Sequence, residues 1–264
     1  LPLIKAFRLR LLHVAAAAAL AALLYGAWLN ISDAVQRRSI ETLSPVLAGR
    51  LIVIDPGHGG KDTGARSGTG TYEKDITLEV SKRLAVMLGQ AGAAVIMTRE
   101  CDIWLADPDA PHKKRSDLLK RVDLANKNNA DVFLSIHVNS FVHDRGQRGA
   151  QAFSQPGSGE GKVLSQSIQN ELIRVLRNTR RQPKQIDYFI RHCKSPAAIV
   201  EIGFLSNPAE EKLLLDSAYQ SKVAFAIFSG LVRYFAENSS QAFHQYNNLP
   251  LSSYHKGTFR LASY

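Results

Sequence analysis

From residue 50 to 236, short apolar runs alternate with longer stretches in which apolar residues recur every three or four positions. The runs at 51–55, 94–98, 132–138, 149–154, 187–191 and 198–203 are short, the first is rich in β-branched residues, and several are closed by Gly, Pro or Asn, so they predict strands. LIVI in the first run is apolar without interruption, the pattern of a strand buried on both faces. Between the runs, Ile76, Val80, Leu84 and Met87 keep helical spacing over 73–90, and Leu118, Val122 and Ala125 do so over 113–128. Further helices are predicted over 160–177 and 217–236. SNPAEEKLLL reads as a helix start, with Ser206 or Asn207 as cap and Glu210 and Glu211 at the positive end of the dipole. Such alternation predicts an α/β fold, a three-layer sandwich whose twisted, mainly parallel sheet is flanked by helices.

The ends of the chain differ. Residues 11–29 hold no acid, lysine or arginine and follow Lys5, Arg8 and Arg10. At ~1.5 Å per residue they would span roughly 28 Å, near the thickness of a bilayer's hydrocarbon core. Tyr25 and Trp28 lie where interfacial aromatics belong. We therefore expect residues 1–30 to form a cytoplasmic flank and a membrane signal anchor, with a cleaved signal peptide as the competing reading. Both readings export the rest of the chain. Residues 31–49 read as a polar linker, 50–236 as the main folded domain and 237–264 as a flexible extension.

Composition adds an environment. The chain of 264 residues carries a net charge of +10, which suits an anionic partner such as a cell wall or lipid surface. No zinc-finger spacing or RNA-binding aromatic signature accompanies that charge, so nucleic acid is not the expected partner. Cys101 and Cys193 are too few for a disulfide framework, and their pairing is open. The cluster Arg174, Arg177, Arg180, Arg181 and Lys184 reads as a solvated face rather than a glycan or teichoic-acid contact.

Four residues stand where strands give way to loops or a helix begins: His58, Glu73, His137 and Glu201. Taken singly, a histidine in an apolar run is commonly a bonded core residue, and a glutamate at a helix start commonly serves the dipole. A carboxylate inside the apolar strand AIVEIG is costly unless paired or functional. Together they match hydrolytic zinc sites, in which two histidines and a carboxylate leave a fourth position to water. His58, Glu73 and His137 can supply the ligands, and Glu201 can move the proton. The glycines around His58 would clear space for metal and substrate. Asn139 could orient His137 or touch substrate.

DPGHGG, Glu73 in YEKD, SIHVN and EIGFLSNP, in that order, resemble the zinc-dependent N-acetylmuramoyl-L-alanine amidases of bacterial cell walls. The resemblance runs from about Arg50 to Ala236. It implies one Zn2+ on His58, Glu73 and His137, a catalytic Glu201, and hydrolysis of the amide between N-acetylmuramic acid and L-alanine of the peptidoglycan stem peptide. Arg121, in RVDLAN, matches a family arginine that we read as structural. KKRSDLLKRVDLANKNNADVFLSIHVNS and the later RYF resemble the germination-specific subgroup of spore formers. That subgroup removes stem peptides in the spore cortex before a muramic-acid deacetylase forms muramic δ-lactam. It implies an activating lipoprotein partner and a membrane-anchored enzyme facing the cortex space, or one secreted after cleavage. Val138, where many relatives have alanine, and the long tail depart from the pattern. A peptidase cutting within stem peptides and a silent wall-binding protein are the competing functions.

Overall fold

The computed structural model describes residues 13, 16, 18–27 and 46–247. The chain divides into two units, Leu1–Pro45 and Val46–Tyr264. In the first, residues 18–27 are helical and largely exposed. No helix among the described residues is long and apolar enough to cross a membrane. The expected span at 11–29 lies partly outside the described residues, and so do positions 31–45 of the linker.

The second unit is a mixed α/β domain on one six-stranded sheet. Its strands are β1 (Leu51–Pro56), β2 (Ala94–Met97), β3 (Val132–Asn139), β4 (Gln151–Ser154), β5 (Lys184–Gln185) and β6 (Ala197–Phe204). They lie in the order β2-β1-β3-β6-β4-β5. All neighbours are parallel except β4 and β6, which run antiparallel. The helices are α1 (Glu73–Gln90), α2 (Lys113–Lys127), α3 (Gly159–Leu176), α4 (Pro208–Leu214) and α5 (Ser217–Asn247). The central strands β1, β3 and β6 carry the apolar runs because both their faces are covered. On one face Val53, Phe133 and Ile199 pack with Val122 and Ala125 of α2. On the other, α1 lies on β1, β2 and β3, α3 lies on β4 and β6, and α5 packs over α1 and α3.

Period two along the strands turns the α2 face from apolar to reactive. Val53, Phe133 and Ile199 are followed by buried Asp55 and Ser135, and then by His137 and Glu201 near the C-terminal ends.

Two predicted elements need correction. The run 187–191 is not a strand; Phe189–His192 form a 3-10 turn. Phe189 and Ile190 are adjacent and both buried in the α2-side cluster, whereas a pleated strand would send them to opposite faces. The turn is closed by Arg191 N–H on the Tyr188 carbonyl at 2.9 Å. Second, α5 continues past 236 to Asn247, so the first part of the expected flexible extension is helical. Residues 248–264 lie outside the described residues.

Candidate metal centre and active site

Three parallel strands, side by side, deliver the site. His58 follows β1 through Gly57, whose N–H donates to the Ile136 carbonyl at 2.9 Å. His137 ends β3, and Glu201 is its register partner on β6. Beyond that pair the register slips: His137 to Asn139 is matched by Glu201 to Phe204, so β6 carries an extra residue there. A bulge of this kind re-aims a side chain at a sheet's end. Glu73, the first residue of α1, is buried beneath both imidazoles.

Glu73 organises the cluster. Its Oε1 lies 3.0 Å from His137 Nδ1 and accepts the Val138 N–H at 2.9 Å. Its Oε2 lies 3.2 Å from His58 Nε2 and accepts the Ala65 N–H at 2.9 Å. The two rings stand edge to face at 80°, with centroids 4.9 Å apart. Donor atoms of His58, Glu73 and His137 all lie within 4.8 Å of one another, as a shared metal ion requires.

The electrostatics fit a cation. Burial would raise the Glu73 carboxyl, but His137 and His58 hold it well below the usual carboxylate range. Burial likewise pulls His58 down, yet Asp62, 3.0 Å from its Nδ1, and Glu73 together push it up to about 9. The centre thus collects positive charge between fixed carboxylates, and two nitrogens with one oxygen are a zinc-type donor set. Glycines leave the room. A Cβ on Gly57 would stand 2.6 Å from His137 Nδ1, and one on Gly64 would stand 2.5 Å from Glu73 Oε2. Gly59 and Gly60 serve a different contact, because their open sides meet Ile103, Arg99 and Trp104 rather than the cluster.

Glu201 differs from Glu73. Its Oε2 is inaccessible and has no hydrogen-bond partner among the described residues. Burial, moderated by His137 and reinforced by Glu73, pushes its carboxyl up to about 7. A carboxyl near neutrality, unpaired beside a metal-type cluster, is equipped to take and return a proton.

The loop bearing His58 is held from below by two buried arginines. Arg121 pairs with Asp55 at 2.8 Å and Asp117 at 2.7 Å, and donates to the Pro56 and His58 carbonyls at 2.9 and 2.8 Å. Its structural reading holds. Arg99 donates to the Pro56, Gly57 and Lys74 carbonyls at 2.9, 2.9 and 2.8 Å. These bonds stabilise His58 in a left-handed conformation, φ 64°, which a non-glycine residue adopts only when its surroundings enforce it. Sequence reasoning missed Arg99, Asp62 and Gly64. Arg99 left one signal, a cation just after the apolar strand AVIMT.

Asn207 caps α4, accepting from Ala209 and Glu210 N–H. Glu210 does more than serve the dipole, because it accepts the Phe204 N–H at 2.8 Å and the Gly149 N–H at 2.9 Å. Asn139 contributes its carbonyl, which accepts the Leu205 N–H at 2.7 Å. Cys101 and Cys193 are both free thiols. The basic cluster divides: Arg174 pairs with Glu171 at 2.6 Å, whereas Arg177, Arg180 and Arg181 line a cavity of about 750 Å3.

Donor chemistry of this kind, beyond the carboxyl ends of parallel strands, marks a hydrolase with a place for a metal ion. The profile of the N-acetylmuramoyl-L-alanine amidase family matches residues 52–233, and the chain belongs to that family. It is an N-acetylmuramoyl-L-alanine amidase, a hydrolase of peptidoglycan. The germination-specific N-acetylmuramoyl-L-alanine amidase of Bacillus subtilis (strain 168) is 43% identical over 196 residues, 72% of this chain and 82% of the relative. The CwlD amidase from Clostridioides difficile, solved in complex with the GerS lipoprotein, superposes with a TM-score of 0.68 at 37% identity. That match covers 71% of this chain and 99% of the other. An N-acetylmuramoyl-L-alanine amidase from Clostridium difficile 630 gives a TM-score of 0.65 at 30% identity, over 71% of this chain and 97% of that one.

Proposed function

We propose that this amidase is zinc-dependent and removes stem peptides from spore-cortex peptidoglycan, the step before muramic δ-lactam formation that germination needs. The observation that carries the reading is the convergence of His58, Glu73 and His137, with Glu201 unpaired beside them. These three residues would hold the metal. Bound there, zinc lowers the pKa of water and polarises the amide carbonyl.

The chain's own groups do the rest. His58 and His137 would each offer a ring nitrogen and Glu73 a carboxylate oxygen to the metal, and Asp62, 3.0 Å from His58 Nδ1, would orient that ring. Glu201 takes a proton from the attacking water on its carboxylate. As the bond between the lactyl carbonyl carbon and the alanine nitrogen breaks, it returns that proton to the departing amine. The products are a free lactyl carboxylate and a peptide with an L-alanine amine.

The cortex role is supported by the likeness to a germination-specific relative. A lipoprotein partner is suggested by the neighbour solved with GerS. A later muramic-acid deacetylase would consume the product. The basic flank and apolar stretch at 11–29 support an exported domain, either anchored to the membrane or secreted after cleavage. Mass spectrometry of cortex peptidoglycan digested by the zinc-loaded protein tests the function. The expected products are peptides beginning with L-alanine; cuts inside the peptide would indicate a peptidase instead.

A further inference from the structure

The arginine-lined cavity lies outside the metal cluster. Arg148, Arg177, Arg180 and Arg181 border it, and none of the four joins an ion pair among the described residues. The carboxylate on its wall, Glu210, is buried, with its oxygens engaged by Gly149 and Phe204 N–H. Four arginines thus line one open cavity together with a single carboxylate that is already bonded. An anion in the cavity would offset this excess of positive charge while accepting forked hydrogen bonds.

The cavity is adjacent to the chemistry. The Arg181 guanidinium sits 4.6 Å over the Phe204 ring, and its Nη1 donates to Gln151 Oε1 at 3.4 Å. Gln151 is the β4 partner of Glu201, and Phe204 lies on the same strand beyond Glu201. Phe204 follows Glu201 by three residues, roughly 10 Å along the strand at ~3.3 Å per residue, the reach of about three extended peptide residues. A stem peptide leaving the cleaved bond carries free carboxylates on residues after its first.

We propose that this cavity is an anion subsite that binds a carboxylate of the stem peptide downstream of the scissile amide, so that the enzyme prefers acidic over amidated stems. The proposal rests on the amidase reading above. It answers why the arginines following α3 join no ion pair among the described residues, Arg181 donating only to neutral acceptors, the Arg148 carbonyl, Gln147 and Gln151.

The test uses the full-length, zinc-loaded protein and two disaccharide-peptide substrates, one with free stem carboxylates and one with the same carboxylates amidated. Wild type is expected to cleave the acidic form with a kcat/KM about tenfold higher. The double variant R148Q/R180Q is expected to raise KM for the acidic form about tenfold, with kcat within twofold, and to erase the preference. Arg148 and Arg180 are exposed, and circular dichroism with zinc content checks that the variant is folded; R180Q alone serves if it is not. Equal turnover of both substrates by wild type overturns the inference alone. So does an equal loss on both substrates in the variant. Inhibition by soluble poly(glycerol phosphate) that the variant escapes, without acid preference, would assign the cavity to a phosphodiester polymer and overturn it too. If neither substrate releases a peptide with a free L-alanine amine, the function proposed above fails with it.

Discussion

Glu73 and Glu201 are the same residue type within one site, and their surroundings drive them in opposite directions. Two imidazoles and two backbone N–H groups keep Glu73 ionised, while burial without a hydrogen-bond partner on Oε2 keeps Glu201 near neutrality. In the proposed function, that contrast separates ligand from proton carrier. Glu201→Gln is expected to lower kcat by about 10²–10⁴-fold while zinc per protein stays unchanged, read by activity and elemental analysis on one sample. A parallel loss of zinc would make Glu201 a ligand. His58 adds a second expectation. Held at about 9 by its carboxylates, it is an imidazolium in the metal-free enzyme at neutral pH, and zinc must displace that proton. Isothermal titration of zinc at pH 7.5 should therefore release about one proton, seen as a binding enthalpy that varies with the buffer's ionisation enthalpy. An enthalpy independent of buffer would contradict the account.

At the level of elements, the ends of β1, β3 and β6 form a platform, and the turn after β1 is pinned to it by Arg99 and Arg121. Arg121, from α2, reaches that turn through a buried pair with Asp55. Arg121→Leu would leave Asp55 buried with its charge uncompensated, at a cost of about 3–5 kcal/mol in a urea denaturation experiment. A loss below about 1 kcal/mol would show that the Thr98 and Ser135 hydroxyls suffice to hold Asp55 without Arg121. Much of this level was legible in the sequence. The central strands announce themselves as apolar runs, α1 as a helical stripe, and His58, Glu73, His137 and Glu201 as polar residues at the ends of such elements. What stayed hidden depends on contacts between distant segments. Arg99 becomes meaningful only when β2 lies beside β1, Gly64 only when its loop folds against Glu73, and the arginines after α3 only when Arg148 joins them. The run 187–191 misled because its apolar residues serve a turn rather than a pleat.

Over the whole molecule, the shifted groups set how stability responds to pH in the metal-free enzyme. Hydrogen bonding to His58 depresses Asp62 to about 2, and Glu73 and Asp55 are also held low by their partners despite burial. Their contribution is present above the ordinary carboxylate value of about 4 and is lost as pH falls toward 2. His58, raised from 6.5 to about 9, contributes stability that is full below 6.5 and lost as pH rises to 9. Glu201, raised from 4.5 to about 7, gives a contribution that is full below 4.5 and fades as pH rises to 7. The melting temperature in chelator is therefore expected to peak at about pH 5, where the depressed carboxylates are ionised and Glu201 has only begun to lose its contribution, and to fall on both sides. A maximum at pH 8 or above would contradict these assignments. The proposed function rests on one ion being shared by side chains from β1's turn, α1 and β3. Anomalous diffraction at the zinc edge, from crystals of the zinc-loaded protein, tests it most directly. The account predicts a single peak about 2.0–2.2 Å from His58, Glu73 and His137. A peak elsewhere, or one lacking any of those three bonds, would contradict it.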